Sequence, residues 1–292
     1  MISAVLDERG NVLQDDAPSA LFPWWSFTKP VIAALVLRLV EAGKLNLDQP
    51  NDGHPFTLLR ILQHRAGLRD YGPLDTYKSA VSAGETPWSA QRLLDEVSYT
   101  DLAYAPGSRW LYSNVGYLLL RQALERVHGA PLAEIMQSEI FGPFGLGARV
   151  AEVPEDFEAI HWDNADGYHP GWVYHGCLVG TALDAARTMQ ALKGSELLSE
   201  TSRQLMFCQQ MRDGPLQGRV WSEIGYGLGV MIGAAGSAGR IIGHSGCGPF
   251  CANLVASFPD HARKLTVATF TKGGDATPAE FGAVAVADQH KS

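Results

Sequence analysis

The stretch Trp24-Trp25-Ser26-Phe27-Thr28-Lys29-Pro30 leads into the longest unbroken apolar run of the chain, residues 31–37. Apolar residues on one broad face predict a helix over 26–42, and Gly43 is a typical helix stop. Pro30 lies near enough to the start that its missing N–H need not break the helix. The predicted helix therefore carries a serine in its first turn and a lysine one turn later.

Short apolar runs with turns between them lie at both ends of the chain. Residues 2–6 and 12–13 predict a hairpin, and four runs beyond Gly225 predict further strands, at 226–232, 240–242, 250–258 and 265–270. Connections this short suit antiparallel pairing. A last helix is predicted over 279–287. The middle of the chain is predicted to be mostly helical, with a capping box at Thr181 and Asp184 before a helix over 183–192.

Strands at both ends and helices between them predict an α+β fold, an αβα sandwich. One antiparallel sheet would be built from both chain ends and flanked by helices, with a mostly helical subdomain inserted. We expect a single domain over residues 1–292. Its α/β subdomain would comprise about 1–60 and 215–292, and its helical subdomain about 61–214.

The composition restricts the class of protein and its partners. The chain has 292 residues, of which 46% are hydrophobic and 18% charged, as in a globular protein with a sizeable core. A net charge of -8 makes a nucleic-acid partner unexpected. The longest apolar run is far shorter than the roughly 20 residues of a membrane span. Residues 2–7 are too short and too soon charged for a signal peptide, so a cytoplasmic protein with free cysteines is predicted, unless a leader was removed.

Ser26 and Lys29 form the first candidate catalytic motif. Residues three apart on a helix share a face. A serine hydroxyl is a poor nucleophile without a neighbouring base, and a lysine with a depressed pKa can act as that base. The backbone N–H of a serine at a helix start can also hold an oxyanion.

Tyr112-Ser113-Asn114 is the second motif, at a predicted loop before a helix. A tyrosine near a lysine ammonium can be pushed toward the phenolate and take the serine proton. Asn114 can hydrogen-bond the lysine or a substrate amide.

His244-Ser245-Gly246 is the third motif, placed after the predicted 240–242 strand. A strand beside the nucleophile can hold substrate by main-chain pairing, and the N–H of Cys247 can be a second oxyanion donor. Gly246 would let the substrate approach the backbone closely.

The three motifs, in this order, resemble those of the serine β-lactamase and penicillin-binding-protein superfamily. The tyrosine in the second motif is similar to the class C branch, which includes D-aminopeptidases, carboxypeptidases and esterases. Further phrases across the chain carry the resemblance: residues 40–48, 62–68, 112–117, 141–147, 181–184 and 226–229.

The resemblance implies a β-lactamase/transpeptidase-like fold and a serine hydrolase that acts through an acyl-enzyme on an amide, β-lactam or ester carbonyl. Ser26 would be acylated, and Lys29 and Tyr112 would share the work of the base. Asn114, His244, Ser245, Gly246 and Cys247 would bind substrate. The expected partner is a small molecule, a β-lactam, a D-amino-acid peptide or an ester, and no metal or organic cofactor is implied.

One departure from the family pattern and several alternatives remain open. His244 stands where many β-lactamases have lysine, and a histidine is only partly charged near neutrality. This departure weakens the case for a dedicated antibiotic hydrolase and leaves room for an ester or small-amide substrate. Ser245 is a rival nucleophile, because residues 243–247 come close to a Gly-x-Ser-x-Gly elbow. A non-catalytic ligand sensor or scaffold could keep the same fold. His161, Asp163, Asp166, His169 and His175 are more consistent with a polar surface loop than with a metal site.

Overall fold

The protein's structure, a computed structural model, describes residues 1–50, 53–162, 165, 167–210 and 214–290. Seven antiparallel strands of this part of the chain form one sheet: β1 (Ile2–Leu6), β2 (Val12–Asp15), β6 (Glu223–Tyr226), β7 (Met231–Ala234), β8 (Arg240–Cys247), β9 (Cys251–Phe258) and β10 (Leu265–Lys272). Their order is β2-β1-β10-β9-β8-β7-β6. The N-terminal hairpin therefore completes a sheet whose other strands come from the C-terminal part of the sequence, as predicted.

Helices cover both faces of this sheet. Helix α10 (Thr277–Gln289) packs on one face, and α8 (Ala182–Lys193) packs on the other, beside α1 (Thr28–Glu41). Side chains alternate between the faces with the strand period of two: Leu254 and Val267 belong to the core under α10, whereas Val255 and Ala268 belong to the core under α1 and α8. The predicted αβα sandwich is confirmed.

The middle of the chain is mostly helical. Its further α-helices among the described residues are α2 (Leu58–Leu62), α3 (Asp75–Ser82), α4 (Ala90–Val97), α5 (Asn114–His128), α6 (Leu132–Met136), α7 (Gly142–Phe144) and α9 (Glu200–Met206). A small antiparallel sheet of β3 (Phe22–Pro23), β5 (Cys177–Gly180) and β4 (Arg149–Ala151) was not predicted. Strands of two to four residues are too short to show a hydrophobic period.

The division into two subdomains stays a prediction. Helix α8 lies within the residues assigned to the helical subdomain, yet it packs directly on β1, β9 and β10. The capping box that opens it is present, with Thr181 and Asp184 bonded reciprocally.

Among the described helices, none is both long and apolar enough for a membrane crossing.

Three predicted elements differ from the structure. Residues 226–232, predicted as one strand, are split by a turn between β6 and β7. Strand β8 continues through His244, Ser245 and Gly246, so the third motif lies within a strand rather than after it. The helix predicted from Ser26 begins at Thr28, after a single 3-10 turn over Trp25–Phe27.

Candidate active site

Ser26 lies on the short 3-10 turn that leads into α1. We call residues 24–27 the Ser26 turn. Strand β3 pairs with β5 just before it, and the Trp24 N–H donates to the Leu178 carbonyl at 2.7 Å. Trp25 has a φ of +47°, a conformation that a bulky residue adopts only where its surroundings enforce it. Within residues 22–30, Ser26 alone is partly exposed, so the turn presents one hydroxyl to the outside.

The central sheet holds the Ser26 turn in place. The buried Asn253 of β9 donates from Nδ2 to the carbonyls of Trp24 and Pro23, at 3.2 and 3.4 Å. A Cβ on Gly246 of β8 would lie 2.6 Å from the Trp24 carbonyl oxygen. Gly246 is therefore needed because β8 and the Ser26 turn lie in direct contact there. The sequence had predicted only that this glycine lets substrate approach the backbone.

Lys29 is fully buried and has three polar contacts at its amine. Its Nζ lies 3.0 Å from Ser26 Oγ, 2.7 Å from Asn114 Oδ1 and 3.2 Å from His175 Nε2. Among the described residues, no carboxylate touches it directly. Burial lowers the pKa of Lys29 to about 7, and the more distant Asp70 opposes the shift. A substantial fraction of Lys29 is therefore a neutral amine at neutral pH, as a general base requires.

Tyr112 reaches Ser26 from a distant part of the chain. Its hydroxyl donates to Ser26 Oγ at 2.9 Å, and Lys29 Nζ lies 4.9 Å from the centre of its ring. Burial raises the pKa of Tyr112 well above its usual value, although the bond to Ser26 opposes the shift. The phenol therefore keeps its proton at neutral pH. This shift of the Tyr112 pKa is opposite to the expected push toward the phenolate, because desolvation of the hydroxyl is the largest effect on it.

Asn114 is oriented by a carboxylate. It is the first residue of α5, and Asp70 receives both its backbone N–H, at 2.8 Å, and its Nδ2, at 2.9 Å. The amide nitrogen is thereby committed to Asp70, and Oδ1 must face Lys29. Burial raises the pKa of Asp70, and the backbone bond from Asn114 opposes the shift.

His244 borders the site but is almost completely buried. Its Nε2 lies 3.0 Å from the Tyr226 hydroxyl, which in turn lies 3.2 Å from His64 Nε2. His64 Nδ1 accepts the Ser113 N–H at 3.1 Å, which leaves the proton of this neutral ring on Nε2. Burial lowers the pKa of His244 to about 3, so the expected partial charge near neutrality is wrong. The neutral His244 ring packs near the Tyr112 ring, with 6.2 Å between the two ring centroids.

Ser245 belongs to a separate cluster on the α10 side of β8. Its Oγ donates to Glu280 Oε1 at 2.8 Å, and Glu280 is fully buried, with Trp221 and Arg219 also bonded to it. Within the described residues, Ser245 has no lysine beside it. Cys247, at the end of β8, is exposed at the cleft.

Ser26 lies where the two lobes of a cleft meet. One lobe, of about 520 Å³, is lined mainly by apolar and aromatic residues together with Arg219 and Asp275. The other, of about 330 Å³, is lined by aromatic residues and His175. Ser26, Asn114 and Cys247 border both lobes. A carbonyl at Ser26 could therefore place its acyl group in one lobe and its leaving group in the other.

The candidate His/Asp cluster is not a unit. Asp163 and Asp166 lie outside the described residues. His169 caps a turn through Gly171, and His161 packs edge-on against the Phe22 ring. His175 is buried beside Lys29, so its assignment to a surface loop is wrong. In the part of the chain that the structure describes, no three His, Cys, Asp or Glu side chains gather as metal ligands.

Three residues around the site were not singled out from the sequence: Asp70, His64 and Arg219. His64 follows α2 with a φ of +55°. The others carry no local signal, because their partners are distant in the chain.

Comparison with known proteins identifies the family. The family model described as Beta-lactamase matches residues 17–291, and the chain belongs to this family. It is 25% identical over 288 residues to penicillin-binding protein 4* of Bacillus subtilis (strain 168), which covers 85% of this chain and 60% of that protein. It is 30% identical over 178 residues to esterase EstB of Burkholderia gladioli, which covers 53% of this chain and 44% of that protein. The chain thus spans about half the length of these curated relatives.

The fold is shared with solved structures. The crystal structure of the D-amino acid amidase from Ochrobactrum anthropi SV3, complexed with L-phenylalanine amide, matches with a TM-score of 0.78. The sequence identity is 19%, and the match covers 98% of this chain and 93% of the amidase. This likeness shows the β-lactamase/transpeptidase-like fold predicted from the motifs.

Proposed function

We propose that the protein is a serine hydrolase that forms an acyl-enzyme at Ser26 with small amide or ester substrates. One observation carries the proposal: Ser26 Oγ lies within hydrogen-bonding distance of both Lys29 Nζ, three residues away in the sequence, and Tyr112 Oη, 86 residues away. The relatives support the substrate class, since an esterase and a D-amino acid amidase are among them. The class C branch of the family stays an expectation.

Lys29 is the proposed base. Its neutral amine takes the Ser26 proton as Oγ bonds to the carbonyl carbon. The oxyanion would sit between the N–H groups of Ser26 and Cys247, and losing one such donor typically costs about a hundred- to a thousandfold in rate.

Tyr112 is the proposed proton relay. As the bond to the leaving group breaks, the Tyr112 hydroxyl, which lies beside Oγ, gives its proton to that group, and the proton held by Lys29 replaces it by way of Ser26 Oγ. Water then attacks the acyl carbon and gives one proton to the same amine. As the acyl–Oγ bond breaks, the amine passes this proton to Ser26 Oγ, which restores the hydroxyl and releases the carboxylic acid.

The lack of charge on His244 of β8 favours esters and small amides over anionic antibiotics as substrates. The neutral, buried His244 supplies no cation where many relatives are expected to carry lysine.

We further propose that the partner is a small molecule. A cytoplasmic location is also a proposal, compatible with the free thiols of Cys177, Cys208, Cys247 and Cys251.

Covalent labelling tests the proposal. The protein is exposed to p-nitrophenyl esters, D-amino-acid amides and a penicillin, and intact-mass spectrometry and peptide mapping locate any adduct. We expect an adduct or turnover that requires Ser26 and is lost in Ser26→Ala. The variant Ser245→Ala should keep it, because Ser245 is bonded to Glu280.

Two outcomes would contradict the assignment. Labelling lost only in Ser245→Ala would make the rival serine the nucleophile. Saturable binding of these compounds without adduct or turnover would favour the non-catalytic sensor or scaffold.

A further inference from the structure

His175 is the one partner of Lys29 that no motif contains. It lies between Trp172 and β5, and it is buried. Two bonds fix β5 against the Ser26 turn and α1: the Trp24 N–H donates to the Leu178 carbonyl, and the Leu178 N–H donates to Thr28 Oγ1 at 3.1 Å. The backbone just after His175 is thus tied to the elements that carry Ser26 and Lys29.

The number of hydrogens on the Lys29 amine decides what each partner can do. An ammonium has three N–H donors, whereas a neutral amine has two and one lone pair. Asn114 can only accept, because its Nδ2 is committed to Asp70. If Ser26 is to give up its proton, the lone pair must face Ser26, and the second N–H needs another acceptor. The only other polar atom in contact with Nζ among the described residues is His175 Nε2, at 3.2 Å.

We propose that His175 is a positioning residue: its unprotonated Nε2 accepts the second N–H of the neutral Lys29 amine and so directs the amine's lone pair at Ser26 Oγ. The inference rests on the proposed function and adds to it a residue outside the three motifs. After proton transfer the ammonium donates to Ser26, Asn114 and His175 together, so all three hydrogens have an acceptor without any movement of the side chain.

The surroundings of His175 suit this role. Its Nδ1 makes no well-formed hydrogen bond to any described residue, although the Trp25 backbone is close enough to favour a proton on the ring. The contact with Lys29 is therefore the main polar interaction of the side chain. Burial, and then the charge of Lys29, lower the pKa of His175 well below its usual value, which keeps the ring neutral. Other titratable groups acting on Lys29 or His175 are Asp70, His64, His244, Arg121, Cys177 and Cys247.

Two amide variants separate this role from simple packing. The Oε1 atom of a glutamine can occupy the place of histidine Nε2, whereas the shorter asparagine reaches only the place of Nδ1. We expect His175→Asn to lower kcat/KM about tenfold to a hundredfold, and His175→Gln to retain activity within about threefold of the wild type. His128→Gln, at the end of α5, is the matched control and should leave the kinetics unchanged.

The pH profile supplies a readout that packing would not move. Loss of the acceptor removes a hydrogen bond that favours the ammonium over the amine. The acid limb of kcat/KM should therefore move to lower pH in His175→Asn and stay in place in His175→Gln. Equal activity and equal limbs in both variants, with an active wild type, would overturn the proposal. A wild type without labelling or turnover would instead contradict the proposed function.

Spectroscopy of the wild type keeps the test independent of how the variants fold. In protein labelled with ¹⁵N-histidine, His175 should show an unprotonated Nε2 and a protonated Nδ1 at pH 7. A proton on Nε2 would overturn the proposal, because that nitrogen could then no longer accept from Lys29.

Discussion

In the part of the chain that the structure describes, two lysines bond a serine hydroxyl, and only one of these pairs lies at a cleft. Lys29 Nζ bonds Ser26 Oγ, and Lys193 Nζ, at the end of α8, bonds Ser257 Oγ on β9. Burial lowers the pKa of both lysines. The difference lies in the serines: Ser26 is partly exposed at a cleft, whereas Ser257 is completely buried.

The partners of the two lysines differ as well. Lys29 is held by the uncharged side chains of Asn114 and His175, while Lys193 lies near the cations Arg240 and Lys264. A lysine with a depressed pKa beside a serine is therefore not sufficient. The serine must also be reachable, and the amine must have acceptors that orient it.

The largest expected difference between the two pairs is in kcat/KM when each lysine is replaced by methionine. We expect Lys29→Met to lower kcat/KM by at least about a thousandfold, because Ser26 loses its base. The same change should raise the unfolding temperature by about 2–5 °C, because it removes a buried amine that has no direct counter-ion. Steady-state kinetics and thermal unfolding measure both effects.

Lys193→Met is the matched control for this prediction. It should leave kcat/KM within about twofold of the wild type, since its serine faces no cleft. A large loss of activity in Lys193→Met, or retained activity in Lys29→Met, would remove the distinction between the pairs.

The pH dependence of kcat/KM in the wild type is the second test of Lys29 as the base. Only the neutral form of Lys29 has a lone pair, so kcat/KM should fall about tenfold for each pH unit below an acid limb near the pKa of about 7. The three buried histidines near the site have lowered pKa values and should stay neutral above this limb: His64, His175 and His244. Rates measured from pH 5 to 9 check this, and a flat profile would mean that Lys29 is not the base.

A smaller effect is expected from Asp70→Asn. The new amide no longer demands the Asn114 Nδ2 as a donor, so the Asn114 side chain can turn its nitrogen toward Lys29. We expect kcat to fall about tenfold with little change in KM, because the loss concerns orientation of the base rather than substrate binding. Asp101→Asn, at an exposed position nearby, should change neither constant. Equal kinetics for the two variants would show that Asp70 does not orient the site.

Local signals predicted much of the fold and part of the site. The capping box at Thr181, the apolar run after Pro30 and the alternating runs near the C-terminus each depend on neighbours in sequence, and each gave an element that the structure contains. Ser26, Lys29, Tyr112 and Asn114 are brought together as their motifs indicated. Their catalytic roles remain a proposal.

The features that were missed depend on distant neighbours. The turn between β6 and β7 lies within an apolar run, so hydrophobicity alone could not reveal it. Asp70 and His175 acquire their roles from Asn114 and Lys29, 44 and 146 residues away. The neutral state of His244 follows from burial, which a motif does not encode.

The hydrogen bonds from Asn253 to the carbonyls of Trp24 and Pro23 also affect how the protein unfolds. Many catalytic loops open locally at little cost while the rest of the protein stays folded. Here the Ser26 turn is hydrogen-bonded to β9, a middle strand of the main sheet whose residues are all buried, so we expect the turn to unfold together with that strand. Thermal inactivation should therefore coincide with global denaturation, with no intermediate that is intact elsewhere but frayed around Ser26.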